Sequence, residues 1–419
     1  MDLNILNNIV NGKTDIDLNR MFNKIKTDTR KIEKDDVFVA LDGVNYNGED
    51  FIDDAFKMGA ITCITNNKFD NCIQVRDTYE SLFDIALYKR RRYNKPVIAI
   101  TGSVGKTTTK DLIVHILSNK YKVLYNKKNY NNIIGVSNTL FKLDDSYDVV
   151  VLELGSNHCG EIKRLKDMCL PDISVITNIG TSHIGNFKSK RKIFREKLSI
   201  KNKELIVNGD DKYLKKTKSF KCGLNKNNDL KCTIIEDCID RVVFSIYLNK
   251  EYKVIFNNPG VHFINDILLA IKVCLMMNID IDTIINSIAT YTLPEKRMNI
   301  IHKRGNIIIN DCYNSSYESL SAGIDYLNKI KGNKILILGD ILELGKKSKR
   351  IHKKINKLVN NYKNIYTIGN YSKYIKGKHF NTVYKFIDYL KVNKIYNSYI
   401  YIKGSRKMKL DLVYDYFTK

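Results

Sequence analysis

The sequence has no tryptophan and only four prolines among its 419 residues. It also lacks an uninterrupted apolar run of the roughly 18 residues that a membrane-spanning helix needs. The longest candidate, residues 263–279, is broken by Asp266 and Lys272, so no membrane span is expected. The first residues carry no basic segment leading into an apolar stretch, and no secretory signal is expected either. Nine cysteines are present, an odd number, with no CxxC pair and no repeating interval. That pattern fits a reducing, cytoplasmic setting better than a disulfide framework or a zinc site.

Acidic residues fall short as well. Lys and Arg number 70 against 45 Asp and Glu, a formal net charge of +25. Such an excess raises the question of nucleic acid, and a basic phosphate-loop ATPase acting on nucleic acid is the reading it would support. The excess is mostly lysine, however, spread along the whole chain among many asparagines, isoleucines and tyrosines. No basic stripe with interleaved stacking aromatics stands out. We read the composition as drift toward AT-rich codons, with no nucleic-acid partner, and the densest cluster, KRRRYNK (89–95), as a solvated linker.

What is present is an alternation of short β-branched runs with helical periodicity. Strand-like pieces occur at 36–41 and 61–65, with a helical stretch near 78–92. Runs at 97–101, 148–154, 173–179 and 205–208 follow, separated by helical segments. After Pro294 the pattern starts again with strands at 306–310, 334–340, 364–369 and 399–405, and helices near 316–329 and 346–361. Alternating strands and helices predict parallel βαβ units. The expected fold class is α/β in three domains, 1–94, 95–293 and 294–419, the central one a parallel-sheet phosphate-loop domain.

The run IAITGSVGKTTT (98–109) has the strand–loop–helix context of a phosphate cradle. Backbone N–H groups of Gly102, Ser103, Val104, Gly105 and Thr108 would surround phosphate oxygens, with Lys106 reaching the β/γ-phosphates and Thr107 a magnesium ion. Ile100 stands where the strict GxxxxGK[ST] spacing asks for Gly, so only the half-motif is present. Glu153 ends the otherwise apolar run 149–154, where a charge is costly without a partner. His183 lies just past the next strand. Carboxyl ends of parallel strands are where such sheets bind ligands, so these two side chains read either as a magnesium site beside the phosphate loop or as structural residues.

TGSVGKTTTK (101–110), ELGSNHCGEI (153–162), TNIGTSHIGNF (177–187), REKLSI (195–200), the RM pair at 297–298, INDCYNSS (309–316), LGDILELG (338–345) and IKGSR (402–406) occur in the order typical of the Mur ligases. TDTRKIEKDDVFVALDGVNYNGEDFI (27–52) is similar to the UDP-sugar-binding domain of that family. The resemblance is greatest to the branch that adds D-Ala-D-Ala. Ligases adding the third peptide residue and folylpolyglutamate-type enzymes are the alternatives within the family. The diaminopimelate-adding enzymes show a DNPR motif that is absent here, whereas GDILELG and KGSR favour the dipeptide-adding branch.

The resemblance implies an ATP-dependent ligase using Mg2+, acting in the cytoplasm as a monomer on UDP-MurNAc-tripeptide and D-Ala-D-Ala. It implies a central ATP-binding domain flanked by an N-terminal UDP-binding domain and a C-terminal Rossmann-like domain. Lys106 and Thr107 would hold ATP phosphates and a first magnesium; Glu153 and His183 would serve a second. Lys197 falls where many members carry a carbamylated lysine. Arg297, Asp311, Tyr313 and Asn314 would close over ATP, with Asp311 toward the ribose. Thr27, Asp28, Thr29 and Arg30 would contact the uridine diphosphate end, and Asn131 and Asn132, in the asparagine-rich stretch NKKNYNNIIG (126–135), the muramoyl part. Phe263 and Asp266 occupy the positions of the two asparagines of the family's HNxxN, the second of which recognises adenine, with Asn265 one place early.

If the charge is dispersed, few phosphates are neutralised in any single docking, and duplex-DNA binding is expected to be weak and to vanish near physiological salt. A salt titration of binding checks this; salt-resistant submicromolar affinity would contradict it.

Overall fold

The structure, a computed structural model, describes residues 2–43, 46–127 and 129–418. Val44, Asn45 and Lys128, which fall within the quoted stretch 27–52 and the asparagine-rich stretch 126–135, lie outside the described residues, as do Met1 and Lys419.

Three sheets succeed one another along the chain. The first contains β1 (Ile25–Lys26), β2 (Asp36–Val39), β3 (Ala60–Thr65) and β4 (Cys72–Gln74), paired in sequence order and all parallel. The helix Thr78–Arg92 covers it, starting where the Asp77 carboxylate accepts the N–H groups of Tyr79 and Glu80 as an N-cap. Its Leu82 and Ile85 are buried with the strand residues Val37, Val39 and Ile64.

The second sheet has nine strands: β5 (Val97–Thr101), β6 (Val123–Tyr125), β7 (Val149–Glu153), β8 (Ile173–Ile176), β9 (Glu204–Asn208), β10 (Phe220–Gly223), β11 (Leu230–Asp237), β12 (Val242–Tyr247) and β13 (Glu251–Phe256). Their order is β13-β12-β11-β10-β9-β8-β5-β7-β6. Strands β5, β7 and β8 are buried along their whole length, which is why their sequences are nearly continuous apolar runs rather than alternating ones. β5 pairs with β7 on one side and β8 on the other, all parallel. After β5 the chain builds β6 and β7 on one side and then crosses to β8 on the other, so a crevice opens at the carboxyl end of β5, the place where open α/β sheets bind ligands.

The third sheet comprises β14 (Asn299–Lys303), β15 (Asn306–Asn310), β16 (Lys334–Gly339), β17 (Asn364–Ile368), β18 (Lys378–Phe380) and β19 (Tyr399–Lys403), ordered β14-β15-β19-β16-β17-β18. Only its β14–β15 pair is antiparallel. The α/β class with three domains is therefore met. No helix among the described residues is long and apolar enough to cross a membrane.

Two expectations are corrected. The strand–helix alternation gave no hint of the antiparallel meander β11–β13. On β11 the pattern is blurred, because Thr233, Ile234 and Ile235 are all exposed and the register shifts between Ile234 and Glu236. The 89–95 run is not a solvated linker. Residues 89–92 finish the helix Thr78–Arg92, and Arg90, 8% exposed, donates to the carbonyls of Cys169 at 2.8 Å, Tyr93 at 2.6 Å and Leu170 at 2.9 Å, and to Asp172 Oδ2 at 3.1 Å. Charge density along the sequence could not separate this planar, five-donor fork from its solvated neighbours.

Replacing Arg90 by Met would strand those carbonyls and take one of the donors from Asp172, which keeps the Val97 N–H and Lys203. Chemical denaturation is expected to show a loss of about 3 kcal/mol, while Arg91→Met, on an exposed position, should change little.

Candidate active site

The phosphate loop leaves β5 at Thr101 and enters the helix Lys106–Leu117 through Gly105. Gly105 has φ +85°, and a Cβ there would lie 2.3 Å from Asp266 Oδ1, so only glycine fits. The loop is tied from below. Ser103 N–H donates to Asn178 O at 3.1 Å, Val104 N–H to Asn178 Oδ1 at 2.9 Å, and Thr177 Oγ1 to Val104 O at 2.5 Å. In contrast, the backbone N–H groups of Gly105, Lys106, Thr107 and Thr108 find no acceptor among the described residues. Four free donors at a helix N-terminus form a concave positive site suited to phosphate. Lys106 folds over it, its Nζ donating to Gly102 O at 2.9 Å and Ser103 O at 3.3 Å. Burial holds this amine below the usual lysine range, against the pull of the Glu153 carboxylate.

Glu153, 3% exposed, ends β7 with both oxygens engaged. Thr107 Oγ1 donates to Oε2 at 2.8 Å and Asn131 Nδ2 to Oε1 at 2.7 Å. Asn126 exchanges two bonds of 2.8 Å with the Glu153 backbone. Beside it Lys197, 3% exposed, donates to Ser156 Oγ at 2.8 Å. Burial, and after it the charge of Lys106, pushes the Lys197 amine down to about 7. A lysine so placed is substantially neutral near pH 7 and is a nucleophile there, which an exposed lysine is not.

No group of three or more His, Cys, Asp and Glu side chains that could hold a metal occurs among the described residues. The Thr107 hydroxyl and Glu153 carboxylate do supply adjacent hard oxygens beside the phosphate cradle. That donor set fits magnesium, which takes one or two protein oxygens and completes its shell with substrate phosphates and water. His183, with φ +56°, turns its Nδ1 to Glu343 Oε2 at 2.8 Å, so in this conformation it faces the third domain.

From that domain Arg297 lies over the Tyr313 ring at 4.4 Å and Arg406 at 5.7 Å. Asp311 Oδ2 accepts from Tyr401 Oη at 2.9 Å and Lys403 Nζ at 2.5 Å. Lys403, 2% exposed, also donates to Asn314 O at 3.3 Å. Arg297, Asp311, Tyr313, Asn314, Lys403, Arg406 and the phosphate loop line one cavity of about 820 Å³ together with Asn131, Asn132, Asn265 and Asp266. Asn132 also caps the helix Ile133–Leu140.

Thr27, Asp28, Thr29 and Arg30 do not line that cavity. Thr27 Oγ1 accepts from Asn138 at 2.9 Å, and Asp28 pairs with the exposed Arg30 at 2.8 Å. Asp266 lies under the loop, its Oδ1 accepting from Thr109 Oγ1 at 3.2 Å, while Asn265 Oδ1 is buried with no hydrogen-bond partner. Sequence reasoning did not single out Lys403, Asn126, Asn178, Glu318 or Glu343 as site residues. All but Glu318 sit inside quoted motifs or the asparagine-rich stretch 126–135, a signal that was there to use.

Residues 100–274 match the Mur ligase middle domain and residues 296–405 the Mur ligase glutamate ligase domain. The chain belongs to the Mur ligase family, as its motifs implied. Within the family it is 31% identical to the UDP-N-acetylmuramoyl-tripeptide–D-alanyl-D-alanine ligase of Rickettsia prowazekii, over 94% of this chain and 95% of that one. It is 30% identical to the enzyme of the same name from Bacillus subtilis, over 92% and 91%. A crystal structure of MurF from Acinetobacter baumannii superposes with a TM-score of 0.92 at 26% identity, covering 100% of this chain and 98% of that one. A MurF ligase from Thermotoga maritima in complex with ADP shares the fold, with a TM-score of 0.86 at 24% identity over 94% and 96%.

Burial pushes the Asp266 carboxyl up from 3.8 to about 8, against the Thr109 hydrogen bond and the charge of Arg297. The folded protein therefore keeps this proton through a window in which the unfolded chain has lost it. The destabilisation is absent below the lower value, grows as pH rises, and is complete above the upper one. Asp266→Asn is expected to melt above the parent at about pH 9, the gap closing toward about pH 4. Thermal melts across that range check it; a pH-independent difference would contradict it.

Proposed function

We propose that this chain is an ATP-dependent amide ligase joining D-Ala-D-Ala to UDP-MurNAc-tripeptide in peptidoglycan precursor synthesis. It acts in the cytoplasm as a monomer, with domains at 1–94, 95–293 and 294–419. The observation that carries the reading is the meeting of the free N–H cradle, Lys106, Glu153 and the buried Lys197 in one cavity roofed by Arg297, Tyr313 and Asp311.

A carboxylate is a poor electrophile. ATP overcomes this when the terminal carboxylate of the tripeptide attacks the γ-phosphorus and ADP leaves, giving an acyl phosphate. The amine of D-Ala-D-Ala then attacks the acyl carbon, forming the amide and releasing phosphate. The cradle N–H groups and Lys106 hold and neutralise the phosphate oxygens. Thr107 would hold a first magnesium and Glu153 and His183 a second, and the metal would supply charge neutralisation on the transferring group. Lys197, about half neutral near pH 7 because it is buried, is the residue we assign to carbamylation, in which its neutral amine adds to CO₂ and releases a proton to water, giving a carbamate anion that would help hold metal. Arg297, Tyr313, Asn314 and Asp311 would cover the nucleotide, Asp311 on the ribose side, and exclude water from the acyl phosphate. The adenine would meet Asp266 and Asn265, whose buried Oδ1 has no partner among the described residues. Thr27, Asp28, Thr29 and Arg30 would take the uridine diphosphate end outside the cavity, and Asn131 and Asn132 the muramoyl part.

Phosphate release is expected to require UDP-MurNAc-tripeptide and D-Ala-D-Ala together and to ignore DNA; stimulation by DNA alone would overturn the assignment. Lys106→Ala should retain less than about a tenth of the rate with an unchanged melting curve. Lys197→Ala should lose far more activity than Lys201→Ala or Lys203→Ala and regain part of it with acetate. Equal losses among the three lysines would remove the carbamate assignment.

A further inference from the structure

The seven residues after β8, Thr177–His183, are bonded on one side to the phosphate loop and on the other to the third domain. Toward the loop, Thr177 and Asn178 hold Val104 and Ser103 as described above. Gly180 N–H donates to Ser103 Oγ at 2.8 Å, and Ser182 Oγ to Ser103 O at 3.2 Å. Toward the third domain, Thr181 gives both its N–H, at 3.0 Å, and its hydroxyl, at 2.6 Å, to Glu318 Oε2. The other oxygen, Oε1, accepts from Lys190 Nζ at 2.9 Å, and His183 meets Glu343 at the end of the segment.

Gly180 marks how tightly the layers stack. A Cβ on it would come within 3.1 Å of both Glu318 Oε2 and the Ser103 side chain, so the third-domain carboxylate and the phosphate loop press on the same backbone from opposite sides. Glu318 is presented rigidly, from the first turn of the helix Tyr317–Asn328, where Ser316 and Ser319 exchange backbone-to-hydroxyl bonds of 3.0 and 3.1 Å. Burial works to raise its carboxyl, but the Thr181 bonds and the Lys190 charge hold it below the usual range.

We propose that Glu318 is a positioning residue: by gripping Thr181 it transmits closure of the third domain through Thr177–His183 to the phosphate loop. The proposal rests on the ligase reading only in taking that loop to bind nucleotide. A contact that merely glued two domains together would leave the loop's own dynamics alone. One that transmits closure would not.

Hydrogen exchange on the full chain separates the two. Glu318→Ala is expected to speed exchange in residues 177–183 and also in 102–108, which Glu318 does not hydrogen-bond, and to weaken binding of ADP with magnesium about tenfold in calorimetry. Thr181→Val, which keeps the backbone bond and loses the hydroxyl, should show the same pattern at smaller amplitude and serves if Glu318→Ala folds poorly. Lys329→Ala removes a different interdomain contact, to Asp237, and should leave exchange at 102–108 at the parent level. Faster exchange confined to 177–183 with unchanged ADP affinity would overturn the proposal, as would a Lys329→Ala effect at 102–108 equal to that of Glu318→Ala. A parent protein that bound no ADP would sink the functional reading instead, and exchange at 102–108 would still decide the coupling.

Discussion

A carboxylate taken out of water must be met by donors, and the residues that meet Glu153 come from separate parts of the central domain. Thr107 brings the first turn of the phosphate-loop helix, Asn131 the asparagine-rich segment before Ile133–Leu140, and Asn126 the end of β6. The carboxylate therefore fixes the Thr107 and Asn131 segments against the carboxyl end of β7, and the Asn126 side chain ties the third segment to the Glu153 backbone. Removing any donor leaves a buried oxygen short of partners, which costs about 1–3 kcal/mol. The same group that sets the local geometry stands where a phosphate-bound cation would sit.

Around that anchor the cavity gathers positive charge: Lys106, Arg164, Arg297, Lys403 and Arg406 all line it, with Lys197 charged only in part, against Glu153, Asp311, Glu161, Glu318 and Asp266. Of these acids, Asp311, Glu318 and Glu153 are already engaged by donors, and Asp266 is held protonated to about pH 8. The net effect is a site that receives anions, and its basic groups are buried or stacked rather than solvated. The chain's +25 charge and this local field are separate matters. Dispersed surface lysines create no focused site, while a few cations behind low-dielectric walls do.

Much of this was legible in the sequence because parallel strands buried on both faces print continuous apolar runs, and because TGSVGKTTT, ELGSN and TNIGTSH end those runs with polar residues at the ligand-binding edge. Lys197 was legible only through the family resemblance; nothing local distinguishes it from Lys201 or Lys203, and its burial comes from tertiary packing. The β11–β13 meander was missed because β11 is exposed through Thr233–Ile235 and β12 is buried at all but its last residue, so neither carries a clean alternation. Arg90 was misread because helix phase, rather than charge density, decides which member of a basic run turns inward. Glu318 left no trace at all, since its partners Thr181 and Lys190 lie more than a hundred residues away and only the packing of the third domain on the central one brings them together.

The central claim is that the cavity activates a carboxylate by phosphorylating it. UDP-MurNAc-tripeptide carrying heavy oxygen in its terminal carboxylate tests this most directly, by mass spectrometry of the phosphate released during ligation with D-Ala-D-Ala. Transfer through an acyl phosphate places one labelled oxygen in each phosphate. Unlabelled phosphate alongside normal amide formation would contradict the account.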